Sequence, residues 1–286
     1  MSQHPRVGRA FAVLCAVAAA LATTVAAAGQ AASAPPKPAG YKIVSAAFTA
    51  AAGHDVSGHV VCPKVNGVQT VPFSGGALIN GNSLKTSINS TWPSATGWNA
   101  DVNNASTAKT GFSVYAVCAN KPTGYLQQES AKVKNPAGAQ NGAGYLCPNN
   151  EQLLGGGELS SSRSTLVNLD SSWPSGTRIW YVYVNNASAS AATFNVFHVC
   201  AKLNVKAIGY QLASGTPRSN PSGAQTEATV FCPSGLSSIG GGIVTSSLSL
   251  QSTLNTTFPF AGGWGGDENN QSGSAATLTA YLLCAS

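Results

Sequence analysis

Gly209-Tyr210 opens a stretch that continues through Cys232-Pro233, Gly240-Gly241-Gly242, Phe258-Pro259, Trp264 and Asn269-Asn270, and closes on Tyr281-Leu282-Leu283-Cys284-Ala285. The same landmarks occur in the same order from Gly124 to Ala201 and from Gly40 to Ala119. The first cysteines, Cys62, Cys147 and Cys232, step by 85 and 85 residues, and the second, Cys118, Cys200 and Cys284, by 82 and 84. Trp98, Trp180 and Trp264 also step by 82 and 84, as do the pairs that begin at Asn103, Asn185 and Asn269. Solenoid units have periods up to about 50 residues, so a longer period marks whole small domains or the sheets of one symmetric body. The repeats occupy residues 40–119, 124–201 and 209–286.

Each copy reads as β throughout. The final segment of the first, Phe112-Ser113-Val114-Tyr115-Ala116-Val117-Cys118, is dominated by β-branched and aromatic residues. Phe112, Val114 and Ala116 share a face with Cys118; Phe194, Val196 and His198 correspond in the second copy, and Leu278, Ala280 and Leu282 in the third. That face is expected to be the core. Tyr115-Val117, Phe197-Val199 and Tyr281-Leu283 make the other face apolar too, and a strand apolar on both faces is normally covered on both. A second sheet or a neighbouring repeat is expected to cover these rings.

The strand before it begins at Trp98, Trp180 or Trp264, and the Asn pairs are expected to form the turn between the two, since Asn tolerates left-handed backbone and bonds its own turn. Pro follows Trp92, Trp173 and Phe258 and should end a strand there. Ser74-Gly75-Gly76, Gly155-Gly156-Gly157 and Gly240-Gly241-Gly242 fall inside strand patterns, where glycine signals a bulge or a close approach of another backbone. No segment after the N-terminus has sustained helical periodicity.

Residues 1–34 read as a secretion signal: basic Arg6 and Arg9, an apolar core from Phe11 to Ala22, and small-residue cleavage sites at Ala26-Ala27-Ala28 or Ala32-Ser33-Ala34. Residues 35–39 form a Pro-rich spacer. Cys15 should leave with the signal, and six cysteines remain. An even count in an exported chain argues for disulfides, and the repeat singles out Cys62–Cys118, Cys147–Cys200 and Cys232–Cys284. Each closes a loop of just over fifty residues, which the chain-entropy model values at roughly 4 kcal/mol. No Cys-x-x-Cys and no recurring histidine supports a metal.

Charged residues make up 8% of the 286 residues, against roughly 25% in ordinary soluble domains. The formal charge is +6, and 13 bases against 9 acids leave +4 once Arg6 and Arg9 are removed. There is no basic run to suggest nucleic acid or anionic lipid, and after the signal no stretch approaches the ~20 apolar residues of a membrane span.

Catalytic signatures are sparse. The glycine triplets lack a phosphate-loop ending, and no Gly-x-Ser-x-Gly elbow exists. His54, Asp55 and His59 form the densest titratable cluster but lack a third partner, and read as surface loop residues. Asp267-Glu268 is the one adjacent acid pair and reads as a solvated turn. His198 reads as a polar replacement in the core. Sequons such as Asn89-Ser90-Thr91 and Asn104-Ala105-Ser106 matter only in a glycosylating host. Trp92, Trp173 and Phe258 are the candidate ligand-binding residues: rings at strand ends beside Asn and Ser suit stacking on sugars, whose C–H faces are apolar and whose hydroxyls need hydrogen bonds. Trp98, Trp180 and Trp264 are assigned to core packing.

The pattern Cys-Pro, Gly-Gly-Gly, Ser/Thr-x-Pro, Gly-x-Trp, Asn-Asn, Tyr-Ala-Val-Cys-Ala resembles a repeat of secreted actinobacterial β proteins of unassigned function. It covers nearly all of residues 40–286. The resemblance implies export and disulfide-closed β units, and brings no catalytic residues. Cys-to-Cys spacing also resembles immunoglobulin domains, but here the Trp lies about thirty residues past the first cysteine, a departure from that family.

The expectation is an all-β protein of three homologous antiparallel units, each with one disulfide. They are arranged as tandem small sandwiches or, alternatively, as a β-prism-like body about a pseudo-threefold axis. Its expected role is extracellular and non-enzymatic, without cofactor or metal: multivalent recognition of glycan or cell-wall ligands. The alternative is a structural or protein-binding surface protein, an adaptor or inhibitor.

Overall fold

The computed structural model describes residues 37–286. The expected secretion signal, its cleavage sites, Cys15 and the start of the spacer lie outside the described residues. Among the described residues there are twenty-one strands and no helix.

The first repeat supplies β1 (Lys42–Ala50), β2 (His54–Val61), the short β3 (Lys64–Val65), β4 (Val68–Ile79), β5 (Thr86–Pro93), β6 (Gly97–Asn104) and β7 (Thr110–Asn120). In the second, β1 is replaced by two short strands, β8 (Leu126–Glu129) and β9 (Val133–Asn135). There follow β10 (Ala139–Leu146), β11 (Gln152–Ser160), β12 (Val167–Pro174), β13 (Ile179–Asn186) and β14 (Ala192–Ala201). The third repeats this plan with β15 (Gln211–Ser214), β16 (Arg218–Asn220), β17 (Ala224–Phe231), β18 (Ser237–Thr245), β19 (Ser252–Phe260), β20 (Gly263–Asn270) and β21 (Ala276–Ala285).

These strands form three seven-stranded antiparallel sheets, and every sheet is shared by two repeats. The first runs β1-β7-β4-β19-β20-β17 with β3 on β4; the second runs β2-β6-β5-β11-β14-β8 with β9 on β14. The third runs β10-β13-β12-β18-β21-β15 with β16 on β21. Junctions fall at equivalent places, Ala77 opposite Thr257, Thr91 opposite Glu158 and Ser172 opposite Ile243. The first repeat joins both others, so the ring closes. Of the two arrangements left open by the sequence, the three sheets about a pseudo-threefold axis are present. The sandwich survives within each repeat, as two half-sheets facing across a core.

One disulfide crosses each sandwich: Cys62–Cys118, Cys147–Cys200 and Cys232–Cys284, as the repeat requires. The inward residues of β7, β14 and β21 are buried, His198 among them. Trp98, Trp180 and Trp264 fill the cores, and each indole N–H donates to a hydroxyl of the adjacent strand, on Thr91, Ser172 and Thr257.

The glycine triplets combine both expected functions. A Cβ on Gly75, Gly156 or Gly241 would lie 2.4, 2.4 or 2.6 Å from the core indole of its own repeat. One on Gly76, Gly157 or Gly242 would lie 2.0, 1.9 or 2.0 Å from a backbone carbonyl oxygen of the neighbouring repeat. A bulge precedes each triplet, at Phe73, Leu154 and Ile239.

Side chains link the repeats cyclically. Tyr41, Tyr125 and Tyr210, from the Gly-Tyr that opens each copy, donate to the carbonyls of Ser238, Pro72 and Leu153 at 2.8, 2.6 and 2.7 Å. The first members of the Asn pairs, Asn103, Asn185 and Asn269, donate to the carbonyls of Val167, Ser252 and Thr86 at 2.7, 2.6 and 2.7 Å. The expected turn therefore begins only after each pair: both asparagines close a strand with negative φ, and only Asn66 and Asn150 among the described non-glycine residues have positive φ. The second members, Asn104, Asn186 and Asn270, do bond the following turn, accepting from Ser106, Ser188 and Ser272. The asparagines of the two sequons named above, Asn89 and Asn104, are buried structural residues.

Strands β5, β12 and β19 meet around the axis. Each carries a bulge there, at Asn89, Asp170 and Asn255, all buried. Phe73, Leu154 and Ile239 mark the opposite, apolar pole, where Pro38, Ala39, Ala285 and Ser286 lie.

Candidate functional site

Trp92, Trp173 and Phe258 lie on β5, β12 and β19, in the middle of the three sheets. Thr91, Ser172 and Thr257, one residue earlier, point to the core indoles, so alternation turns these rings outward. All three are half-buried. Cross-strand pairing places each opposite a triplet glycine and, beyond it, opposite an aromatic residue of the last strand. The rows are Trp92–Gly157–Phe197, Trp173–Gly242–Tyr281 and Phe258–Gly76–Tyr115. The second apolar face of the last strand is thus met by the neighbouring repeat, as Tyr115 shows by packing on Phe258 with centroids 5.5 Å apart.

The surroundings of the three rings differ. On the third sheet Trp173 packs against Tyr181 and Tyr183 at 5.2 and 5.9 Å, and the two tyrosines lie 5.3 Å from each other. Gly142 and Gly144 on β10 make this possible, since a Cβ there would lie 2.3 Å from the Tyr183 ring and 2.7 Å from the Tyr181 ring. The rings therefore lie over bare backbone and form a platform that keeps two hydroxyls. Burial, followed by the influence of Tyr181, raises the Tyr183 hydroxyl above its ordinary pKa.

On the first sheet Phe258 is joined by Phe260 at 6.1 Å, and Phe260 by the exposed Phe231 at 5.3 Å. On the second sheet Trp92 shares its row with Asn99 and His59, which hydrogen-bond to each other at 3.0 Å. Tyr181, Tyr183, Phe231 and Phe260 escaped the sequence reading. The alternation Tyr181-Val182-Tyr183 was the available signal, because it places both tyrosines on the face opposite Trp180.

The His54, Asp55 and His59 cluster does not assemble. The three residues are on strand β2, not on a loop, and alternation puts His54 on the face opposite Asp55 and His59. Asp55 pairs with Arg163 of the second repeat at 2.6 Å. Burial, then the nearby Asp101, raises its carboxyl to about 7 against the pull of Arg163.

Asp267 and Glu268 are not a solvated turn; both lie within β20. Glu268 is buried and accepts from Ser252 and Asn220. Asp267 faces Glu227 across the strand pair, and burial followed by that neighbour raises it to about 6.

Among the described residues one group has metal-ligand spacing, Cys147, His198 and Cys200. Both sulfurs are committed to a disulfide. His198 stacks on Tyr145 at 4.1 Å, and burial lowers its pKa to about 4, so the ring is neutral.

No protein-family model and no curated protein matches the chain. The aromatic faces are therefore interpreted from their own chemistry. They offer flat apolar surface on a rigid scaffold, with hydroxyls on the third sheet, amide and imidazole groups on the second, and three phenylalanines beside Tyr115 on the first.

Proposed function

We propose that this is an exported binding protein that recognises glycan or cell-envelope polymers through its outer aromatic faces. The observation that carries this reading is the outward-facing, half-buried ring at one equivalent position of every sheet, Trp92, Trp173 and Phe258. Sugars suit such rings because their C–H faces stack on aromatic surface while neighbouring polar groups meet their hydroxyls. The face around Trp173, Tyr181 and Tyr183 is the best furnished and should bind most tightly. Each site alone is expected in the millimolar range. Because the faces turn away from a common axis, avidity arises on a meshwork of chains rather than along one short glycan.

The test is binding of the oxidised protein to an array of glycans and cell-wall fragments, beside Trp92→Ala, Trp173→Ala and Phe258→Ala variants. Saturable binding that weakens with each lost ring, most with Trp173, supports the proposal. Absence of saturable binding by folded protein overturns it.

A second reading, a protein-binding adaptor or inhibitor, is favoured by one observation. Exposed Phe231 continues into half-buried Phe260 and Phe258 as one run of phenylalanines, a surface suited to another protein. Pull-down with the protein and its Phe231→Ser variant distinguishes the two.

A further inference from the structure

At the polar pole, where β5, β12 and β19 meet, a recess of about 390 Å³ opens between the three repeats. The same four positions of every repeat line it. The scaffold is symmetric there, but the side chains are not. One set of equivalents is Ser87, Asn168 and Thr253, and the next is Lys85, Leu166 and Gln251. Lys85 is the one charged residue of the lining.

We propose that this recess binds one small hydroxylated carboxylate, of the size and class of a sugar acid. Its volume falls at the small end of the range of about 300–1,000 Å³ usual for ligand sites. Lys85 supplies a single cation with no acid in the lining to neutralise it, and a charge-assisted hydrogen bond to a carboxylate is roughly twice as strong as a neutral one. Ser87 and Asn168 hydrogen-bond to each other across two repeats and fix the floor, while the Thr253 hydroxyl and the exposed Gln251 amide supply partners for a polyol. Leu166 offers apolar wall to the C–H face of a ring.

The nearest acid along β12, Asp170, does not oppose an anion. It is buried and hydrogen-bonded to Ser171 and Asn185, and desolvation, its chief perturbation, raises its carboxyl well above the ordinary range. The symmetry argues further. The Tyr, Trp and Asn series keep one residue type in all three copies, whereas the four positions lining the recess differ between copies. Divergence on one axis turns three equal surfaces into a single asymmetric site, so one ligand per protein is expected. This site is independent of the aromatic faces.

Isothermal titration of the oxidised protein with glucuronate and with glucose tests it. Glucuronate should saturate one site and bind at least about tenfold more tightly than glucose. Lys85 and Ala187 are both exposed at the rim, so substitutions there leave folding intact, as thermal melts would verify. Lys85→Gln should bring glucuronate down to the level of glucose, and Ala187→Trp, which fills the recess, should abolish saturation. Trp173→Ala should leave glucuronate binding unchanged, which separates this site from the aromatic platform. Equal affinity for the two sugars, three sites per protein, no saturation, or an unaltered Lys85→Gln variant would each overturn the proposal.

Discussion

Trp264 is buried, and its indole N–H reaches the Thr257 hydroxyl at 2.8 Å. Thr257→Val keeps the shape and removes the acceptor, leaving a buried donor without a partner. Such an orphan costs about 1–3 kcal/mol, so the urea midpoint should fall with the m-value unchanged; an unmoved midpoint would show the bond to be inert. Asp170 presents the reverse case, because its equivalents are Asn89 and Asn255 and it is the buried acid of the three. Its carboxyl is raised well above the ordinary range by desolvation and then by Glu268, and Glu158, also fully buried, is raised by desolvation and by Asp101. Asp267 and Asp55 are raised to about 6 and about 7. A carboxyl whose folded pKa exceeds its unfolded one contributes fully below the unfolded value and loses that contribution as pH rises through the folded value. The thermal midpoint should therefore fall between pH 5 and pH 8. Asp170→Asn should lessen the fall while changing little near pH 4, and a parallel shift at both pH values would refute this account. His198, lowered to about 4, acts oppositely and costs stability as pH falls from about 6.5. At this scale the sequence was half legible. The core indoles, the disulfide pairs and the buried His198 could be read from alternation and spacing, which are local. The partners of Tyr41 and Asn103 could not, because each binds a carbonyl in another repeat, and spacing says nothing about which repeat lies alongside.

Among the strands, the glycine triplets decide how closely two repeats approach. Gly157→Ala would put a Cβ 1.9 Å from the Thr91 carbonyl oxygen, an atom fixed in the backbone of β5. Relief requires the two sheet halves to separate at their junction, so a loss of about 3 kcal/mol or more is expected. Gly265 is the control: its added Cβ would meet only side-chain atoms, the nearest at 3.3 Å. Gly265→Ala should cost less than about 1 kcal/mol. Chemical denaturation of the two variants side by side checks this, and equal losses would mean that the close approach carries no special weight. The sequence reading identified these glycines as places of close approach from their position inside strand patterns. It also found the strands that begin at the tryptophans and end near Pro93 and Pro174. It left open which strands share a sheet, because each repeat sends half of its strands to one sheet and half to another. A cyclic exchange of that kind leaves the hydrophobic alternation of every strand unchanged.

Three repeats joined by short linkers suggest three independently stable domains, but the pairing predicts otherwise. A repeat cut out at its linkers would expose β4 and β5, or their equivalents, as unpaired edges. It would also uncover apolar residues such as Val117, Val199 and Leu283, which are completely buried in the whole chain. A unit of some eighty residues has little core to spare against such losses, and its one disulfide, worth roughly 4 kcal/mol on the chain-entropy model, acts only on the unfolded state. The inter-repeat bonds run in a closed ring, since Tyr41 of the first copy reaches Ser238 of the third, so opening one junction strips partners from both remaining repeats. The oxidised protein should therefore unfold in one calorimetric transition whose van't Hoff and calorimetric enthalpies agree. A fragment of residues 209–286 should fail to give a cooperative transition at all, even with Cys232–Cys284 formed. Three resolved transitions in the whole chain, or a cooperative melt of the fragment, would show that the shared sheets are incidental and that each repeat holds itself together. The expected single transition would mean that the aromatic faces, each built from two repeats, exist only when the ring is closed.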